Sequence, residues 1–190
     1  MAGQAIAANP ALVTRRVVTG HDPEGRSVIA SDGPNPVNQA IWHRDFVLNE
    51  VWRSAALPAD NLAAGEPCSA ADLEPAAQGN VLRIVHFPPD ADYLDATDVA
   101  AGFAAMGESG AAAAAGYTNA PHPLMHRTNT VDYIIVLSGE MYAVMEKGET
   151  LLRAGDVLIQ RGTNHAWSNR SNAPCIIAAI LNAAQPIAGA

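Results

Sequence analysis

Short hydrophobic runs separated by turn residues fill the second half of the chain. From Tyr117 onward these runs are VDYIIVL, MYAVME, TLLRA, DVLIQ, HAWSN and CIIAAILNA. Each is shorter than a typical helix and is bounded by turn-forming residues, a pattern typical of β-strands. Strands in such close succession predict an all-β domain, folded as a barrel or as a double-sheet sandwich.

The hydrophobic runs of the first half are more widely spaced. LVTRRVV, RSVIAS, DFVLNEVWRSA and NVLRIVHF predict further strands, and the alternation in the third run changes face near Val51. Residues 56–80 are rich in Pro, Ala, Gly and Asp, so we expect a long surface loop with a helical turn near Ser69–Leu73. We expect one domain overall, in which residues 1–115 complete the barrel and residues 116–190 carry its core motifs.

One stretch between the two halves has helical spacing. Within Leu94–Met106, the apolar residues that share a helical face are Leu94, Val99, Phe103 and Met106. Asp95 or Thr97 could cap this helix. The Ala-rich segment 108–116 is helix-prone but offers little to bury, so we expect either a mobile lid or, more simply, a surface connector.

Composition and charge exclude several classes of function. With 190 residues, 49% of them hydrophobic and 16% charged, the chain suits one globular domain. Lys and Arg number 11 against 19 Asp and Glu, and this net charge of −8 argues against a nucleic-acid partner. Because the sequence has no apolar run of membrane-spanning length and no basic segment before its N-terminal residues, we expect a cytoplasmic protein without a membrane partner.

The two cysteines, Cys68 and Cys175, have no CxxC or zinc-ribbon spacing. They are most simply free thiols in a reducing compartment. A disulfide between them stays open as an alternative.

Three potential metal ligands lie among the C-terminal strands: His126, Asp132 and His165. Side chains alternate along a strand, so Asp132 shares one face of VDYIIVL with apolar residues, and Tyr133 lies on the other face. An ionised carboxylate in an apolar row must find a cation or take up a proton. Two imidazoles and one carboxylate can hold a divalent metal facially and leave positions open for a substrate.

The spacing of these residues resembles the first motif of the cupin superfamily, G-x5-H-x-H-x3/4-E-x6-G. Placing Asp132 at the Glu position puts Gly139 correctly after it, His126 at the first His and Thr128 at the second. Thr128 therefore replaces a His ligand, and Asp132 is one carbon shorter than Glu. A four-ligand site is thereby reduced to three, or to two if Asp132 cannot reach the metal.

The second cupin motif, G-x5-P-x-G-x2-H-x3-N, is matched by Gly155-Asp156, Gly162, His165 and Asn169. Gln160 stands where Pro is usual, one residue nearer the opening Gly than the pattern gives. The resemblance covers residues 116 to about 183. It implies a cupin double-stranded β-helix, or jelly-roll barrel, with a few short helices.

The resemblance also implies a small-molecule enzyme whose divalent transition metal (Fe, Mn, Ni or Zn) is bound by His126, Asp132 and His165. We expect it to act on an organic acid or carbonyl compound. Decarboxylation, dehydration or isomerisation is slightly favoured over dioxygenation, because Thr128 removes a donor. A pocket without metal is the alternative, and there Asp132 would be a buried carboxyl suited to general acid–base catalysis. A non-catalytic small-molecule-binding protein is a further alternative, and family likeness implies a homodimer.

Several neighbours are weaker candidates. Three residues are expected in the substrate-binding wall: Thr128, Gln160 and Trp167. Arg127 could pair with a substrate carboxylate. Tyr133 could donate a proton as a second catalytic residue, although packing on the outer face is the simpler interpretation. His122, beside two prolines, is expected at the surface or at the pocket rim.

Overall fold

β-Strands build most of the fold in the computed structural model, which describes residues 6–62, 71–114 and 120–187. The strands are β1 Arg15–His21, β2 Ser27–Pro34, β3 Asn38–Ala40, β4 Val47–Ser54, β5 Asn80–Phe87, β6 Thr130–Ser138, β7 Glu140–Met145, β8 Glu149–Arg153, β9 Val157–Arg161, β10 His165–Ser168 and β11 Cys175–Ala183. Two short helices, α1 Val99–Ala104 and α2 Gly107–Ala114, separate β5 from β6. Three single 3-10 turns lie at Pro10–Leu12, Asp90–Asp92 and Leu94–Ala96.

The strands form two facing sheets and a separate hairpin. The larger sheet has the order β3-β4-β5-β11-β6-β9, the smaller has the order β10-β7-β8, and β1 pairs with β2 alone. From β6 onward the chain crosses repeatedly between the two sheets, and each paired neighbour is antiparallel. This path is that of a jelly-roll barrel, and it confirms the predicted all-β fold.

Alternation along β6 decides which side chains enter the barrel. Asp132 is 4% exposed on the inner face, whereas Tyr133 is 46% exposed on the outer face. Strand β11 lies between β5 and β6, and its Leu181 pairs with Asp132 while its Ala179 pairs with Arg83. The inner rows of all three strands therefore point into one interior, with Arg83 and Asp132 on either side of β11.

Aromatic side chains fill the barrel next to α1. Trp42 meets Phe46 and Phe103 edge to face, with ring centroids 4.9 and 5.2 Å apart, and Phe46 similarly meets Phe87 at 4.8 Å. The helix packs directly on Trp42, because a Cβ added to Gly102 would lie 1.7 Å from the indole nitrogen. Burial of this cluster fixes α1 over the barrel interior.

The predicted helix over Leu94–Met106 is divided and differently capped. A 3-10 turn at Leu94–Ala96 precedes α1, and the α1 N-cap is Asp98, whose side chain accepts a hydrogen bond from the Ala101 amide. The Thr97 hydroxyl instead donates to the Tyr93 carbonyl at 2.8 Å. The capping role predicted for Asp95 or Thr97 was therefore wrong.

The Ala-rich segment forms α2, with Ala113 buried in the core. Residues 115–119 lie outside the described part, and so do Ser69 and Ala70 of the helical turn predicted near Ser69–Leu73; its described residues, 71–73, are not helical. Cys175 is a buried free thiol, and Cys68 lies outside the described residues. Neither helix of the described part is long and apolar enough to cross a membrane.

Candidate active site

Two histidines meet at the start of β10. His126 and His165 exchange backbone hydrogen bonds of 2.9 Å in both directions, and their rings lie 4.4 Å apart. His126 Nδ1 lies 2.9 Å from the Leu124 carbonyl oxygen, and His165 Nδ1 lies 3.0 Å from that of Thr163. Because a carbonyl only accepts, each Nδ1 carries the proton and each Nε2 keeps a lone pair.

Burial keeps both imidazoles neutral. It lowers the pKa of His126, and it lowers the pKa of His165 to about 3, with the neighbouring His126 adding to the effect. A neutral imidazole with an available Nε2 can accept a proton or bind a metal. The pair therefore provides two nitrogen lone pairs, one on the buried His165 and one on the half-buried His126.

Asp132 is a buried carboxyl in a different situation. Within the described residues, no group forms a hydrogen bond with its Oδ1. Burial raises its pKa to about 6, although hydrogen bonding from Thr130 and the positive charge of Arg83 act in the opposite direction. A carboxyl with this pKa exchanges its proton near neutral pH.

These groups line a common cavity of about 90 Å³ inside the barrel. Its wall includes the polar residues His126, His165, Asp132, Thr128 and Arg83. The aromatic wall residues are Trp42, Phe46, Phe87, Phe103 and Trp167. The cavity is thus mainly apolar with a few polar groups, as small-molecule sites usually are.

The predicted three-donor metal site is not assembled. No group of three or more His, Cys, Asp or Glu side chains in residues 6–62, 71–114 and 120–187 is placed to hold a metal ion. The histidine pair does fit one feature of metal sites, because its Nδ1 protons are fixed by carbonyl groups. Asp132 lines the same cavity but belongs to no such group, and the two imidazoles are the side chains that could hold a metal here.

Two of the three predicted wall residues line the cavity. Trp167 stacks edge to face on His165 at 5.3 Å, and the Thr128 hydroxyl lies 2.7 Å from that of Thr130. Gln160 is buried and pairs with Asp132 across β6 and β9, but it is not a wall residue. Its amide nitrogen donates to the Thr163 carbonyl at 2.8 Å instead.

Three other candidates lie away from the cavity. Tyr133 faces outward because Asp132 faces inward, so the structure gives it no access to a bound substrate. Arg127 is half-buried and does not line the cavity. His122 is only 7% exposed, which contradicts the surface, the first of its two predicted positions, and it does not line the cavity. Its Nδ1 accepts from the Leu124 amide at 3.2 Å, and its Nε2 lies 3.9 Å from an Asp90 oxygen.

Sequence reasoning missed Arg83, a buried guanidinium in the cavity wall. Its signal was present in NVLRIVHF, where Arg83 alternates in phase with Val81, Val85 and Phe87. A charged residue in an inward-facing apolar row must find a partner, so Arg83 indicates a buried polar site in the same way as Asp132 does. Its buried partner Glu50 precedes the irregularity at Val51, where pairing of β4 with β5 shifts register as predicted.

Residues 114–181 match the model of the Cupin domain family. This part of the chain is therefore a cupin domain, which confirms the resemblance seen in the two motifs. A "Cupin-domain-containing oxidoreductase fogC" from Aspergillus ruber is 26% identical over 158 residues, 81% of this chain and 63% of that protein.

Shorter segments are more similar. "Phomopsin biosynthesis cluster protein C'" from Diaporthe leptostromiformis is 56% identical over 50 residues, which cover 26% of each chain. The matched segment thus spans about a quarter of the length of such relatives. A solved structure of a putative ethanolamine utilization protein from Salmonella typhimurium is 10% identical, with 91% and 98% of the two chains covered and a TM-score of 0.42.

Proposed function

We propose that the protein is an enzyme that transfers protons on a small organic acid or carbonyl compound bound inside the barrel. One observation carries this proposal: the buried Asp132 carboxyl, unpaired at Oδ1 in the described structure, lines the same cavity as two neutral imidazoles. Groups whose pKa values are driven apart by burial are suited to act as an acid and a base in one site.

The reaction classes follow from the available proton donors and acceptors. Asp132 with a pKa near 6 can remove a proton beside a carbonyl group or return one to the adjacent carbon. The Nε2 atoms of the neutral His126 and His165 can accept hydrogen bonds from the substrate and hold it beside Asp132. Isomerisation, dehydration and decarboxylation all need such proton-transfer steps, and a positioned acid or base contributes about 10²–10⁴ in rate.

Oxidoreduction is the second candidate. It is favoured by the names of two relatives, the cupin-domain-containing oxidoreductases fogC of Aspergillus ruber and virC of Hypocrea virens. His126 and His165 are the residues expected to hold a metal in that case. Metal analysis of purified protein separates the two candidates. A stoichiometric transition metal that is lost in both His126→Ala and His165→Ala supports a metal-dependent enzyme, of which an oxidoreductase is one class, whereas turnover in metal-free protein supports proton transfer by the protein's own groups.

A non-catalytic small-molecule-binding protein is the third candidate function. For any of these functions, we propose that the protein forms a homodimer. An exposed apolar row on the outer face of β6 and β9 supports the dimer: Tyr133, Leu137, Val157 and Ile159. Covering such a row against a second copy would remove apolar surface from water and protect the edge strand β9. Light scattering across protein concentrations tests this, and a monomer at all concentrations rejects it.

Isotope exchange tests the leading candidate whatever the final product of the reaction is. A panel of keto acids and hydroxy ketones is incubated with metal-free protein in D₂O, and deuterium at the carbon beside the carbonyl is followed by NMR. We expect exchange that falls by about 10²–10⁴ in Asp132→Asn. Tyr133→Phe, on the outer face of the same strand, is the matched control and should exchange normally. Unchanged exchange in Asp132→Asn contradicts the proposal.

A further inference from the structure

Arg83 is a buried charge that proton transfer does not use. It is 3% exposed, it projects from the inner face of β5, and it lines the cavity among aromatic residues. Its charge is close enough to lower the pKa values of both Asp132 and His126. A molecule in the cavity beside the acid–base groups therefore lies next to the Arg83 side chain.

The hydrogen bonds of Arg83 leave donors for a ligand. Its Nε donates to Glu50, one Nη donates to the Leu73 carbonyl at 2.9 Å, and the other donates to the Asp72 carbonyl. A guanidinium has five N–H groups. Within the described part of the chain, these three bonds leave one hydrogen on each Nη.

The surrounding charges leave room for an anion. Glu50 is shared with a second buried guanidinium, because Arg53 Nη2 lies 3.3 Å from its other oxygen. One carboxylate therefore serves two cations. Three other carboxyls belong to residues around this network. Burial favours the neutral form of Asp132, Glu74 accepts from the Asn129 backbone amide at 2.8 Å, and Asp72 accepts from the Ser109 hydroxyl.

We propose that Arg83 binds the carboxylate of the substrate, and that the cavity selects monoanionic carboxylic acids with a compact apolar or aromatic body. The inference rests on the proposed function and names its substrate class. Paired N–H groups match the two oxygens of a carboxylate. The aromatic walls would enclose the rest of the molecule, since they offer few polar partners.

Arg53 provides a matched control for this role. It contacts the same Glu50 and the same Asp72 carbonyl, at 2.9 Å, and it also donates to the Glu74 carbonyl at 2.9 Å. Unlike Arg83, it does not line the cavity. Loss of Arg53 thus disturbs the same polar network but removes no donor from the ligand.

Benzoate and benzamide are suitable probes, because they share a ring and differ in charge. Their affinities for wild type, Arg83→Met and Arg53→Met are measured by calorimetry at about pH 5, where benzoate is mostly ionised and Asp132, with a pKa of about 6, is mostly neutral. We expect wild type to bind benzoate at least tenfold more tightly than benzamide, Arg53→Met to keep this preference, and Arg83→Met to lose it. Equal affinities in wild type, or a preference that survives Arg83→Met, overturn the proposal.

A second measurement avoids dependence on folding of the variant. In ¹⁵N-labelled wild type, the Arg83 side-chain resonances should shift on addition of benzoate and much less on addition of benzamide. Benzoate binding that leaves these resonances unmoved rejects the assignment.

The two proposals fail separately. Asp132→Asn should still prefer benzoate, even though it loses isotope exchange. Loss of exchange in Asp132→Asn together with a preference retained in Arg83→Met removes only the carboxylate-binding role. Conversely, exchange that survives Asp132→Asn removes the acid–base role and leaves the Arg83 result intact.

Discussion

The two sides of the cavity bury ionisable groups in different ways. On the side of the smaller sheet, His126 and His165 have their Nδ1 protons bound by carbonyl oxygens and stay neutral. On the side of the larger sheet, Asp132 has an unpaired oxygen in the described structure, and Arg83 is held by Glu50. Hydrogen bonding thus fixes both imidazoles in one neutral tautomer, whereas Asp132 has a pKa close to neutral pH. This asymmetry is what an acid–base site needs.

The difference also gives the two sides opposite responses to pH. The pKa of His165 is lowered on folding, so the unfolded chain takes up its proton first and stability falls as the pH drops below about 6.5. The pKa of Asp132 is raised, so the folded chain keeps its proton longer and stability falls as the pH rises from about 4 through about 6.

The largest expected effect is at His165. Relative to His165→Gln, wild type should lose up to about 4–5 kcal/mol of unfolding free energy between pH 6.5 and 3, since each unit of pKa shift is worth about 1.4 kcal/mol. Denaturant unfolding at several pH values measures this difference. Parallel curves for the two proteins across that range would show that His165 is not buried as a neutral base.

Glu50→Ala should break the network on the opposite side. It leaves Arg53 and Arg83 buried without their carboxylate, and removing one partner of a buried ion pair costs about 3–5 kcal/mol. Glu149→Ala, which removes an exposed partner of Arg170, is the control and should cost much less. Similar unfolding midpoints for the two variants contradict the buried arrangement.

Asp132→Asn should change the pH dependence of stability in the opposite direction from His165→Gln. Wild type carries a penalty of about 3 kcal/mol from the ionised Asp132 above pH 7, which is absent below pH 4. The variant should therefore gain stability over wild type as the pH rises through this window. A difference that is constant with pH would mean that the Asp132 pKa is not raised.

The smallest expected effect is that of Thr130→Val on the pKa of Asp132. Hydrogen bonding from Thr130 lowers the pKa of Asp132, so Thr130→Val should raise that pKa further. A hydrogen bond worth about 1 kcal/mol corresponds to a shift of about 0.7 units. The measurement is the difference in unfolding free energy between Thr130→Val and Thr130→Val/Asp132→Asn as a function of pH. Its midpoint should lie at higher pH than the midpoint of the same difference between wild type and Asp132→Asn. Equal midpoints would show that the hydrogen bond is absent.

The local pattern of hydrophobic and polar residues was sufficient to predict many of the strands. The limits of β5 and β11 coincide with the runs NVLRIVHF and CIIAAILNA, and the change of face near Val51 corresponds to a register shift. Alternation also placed Asp132 inward and Tyr133 outward, because a strand with one buried face leaves little choice. The α1 cap was missed because Asp95, Thr97 and Asp98 are all acceptable cap residues, and only the tertiary path selects one of them.

The site was less accessible to sequence reasoning. Motif spacing brought His126, Asp132 and His165 to one cavity, but spacing does not fix distances across a barrel. The pairing of β5 with β11 brings Arg83 beside them, and this contact joins residues far apart in the chain. Its inward phase was visible in the sequence, whereas its neighbours across the sheet were not.

The most direct test of the central claim is a carbon-13 NMR titration of the Asp132 carboxyl in metal-free wild type, with Asp132→Asn used to assign the resonance. We predict a midpoint near pH 6, as burial in the cavity requires. A midpoint near 4, the ordinary value for an aspartate, would contradict the claim that Asp132 supplies the proton.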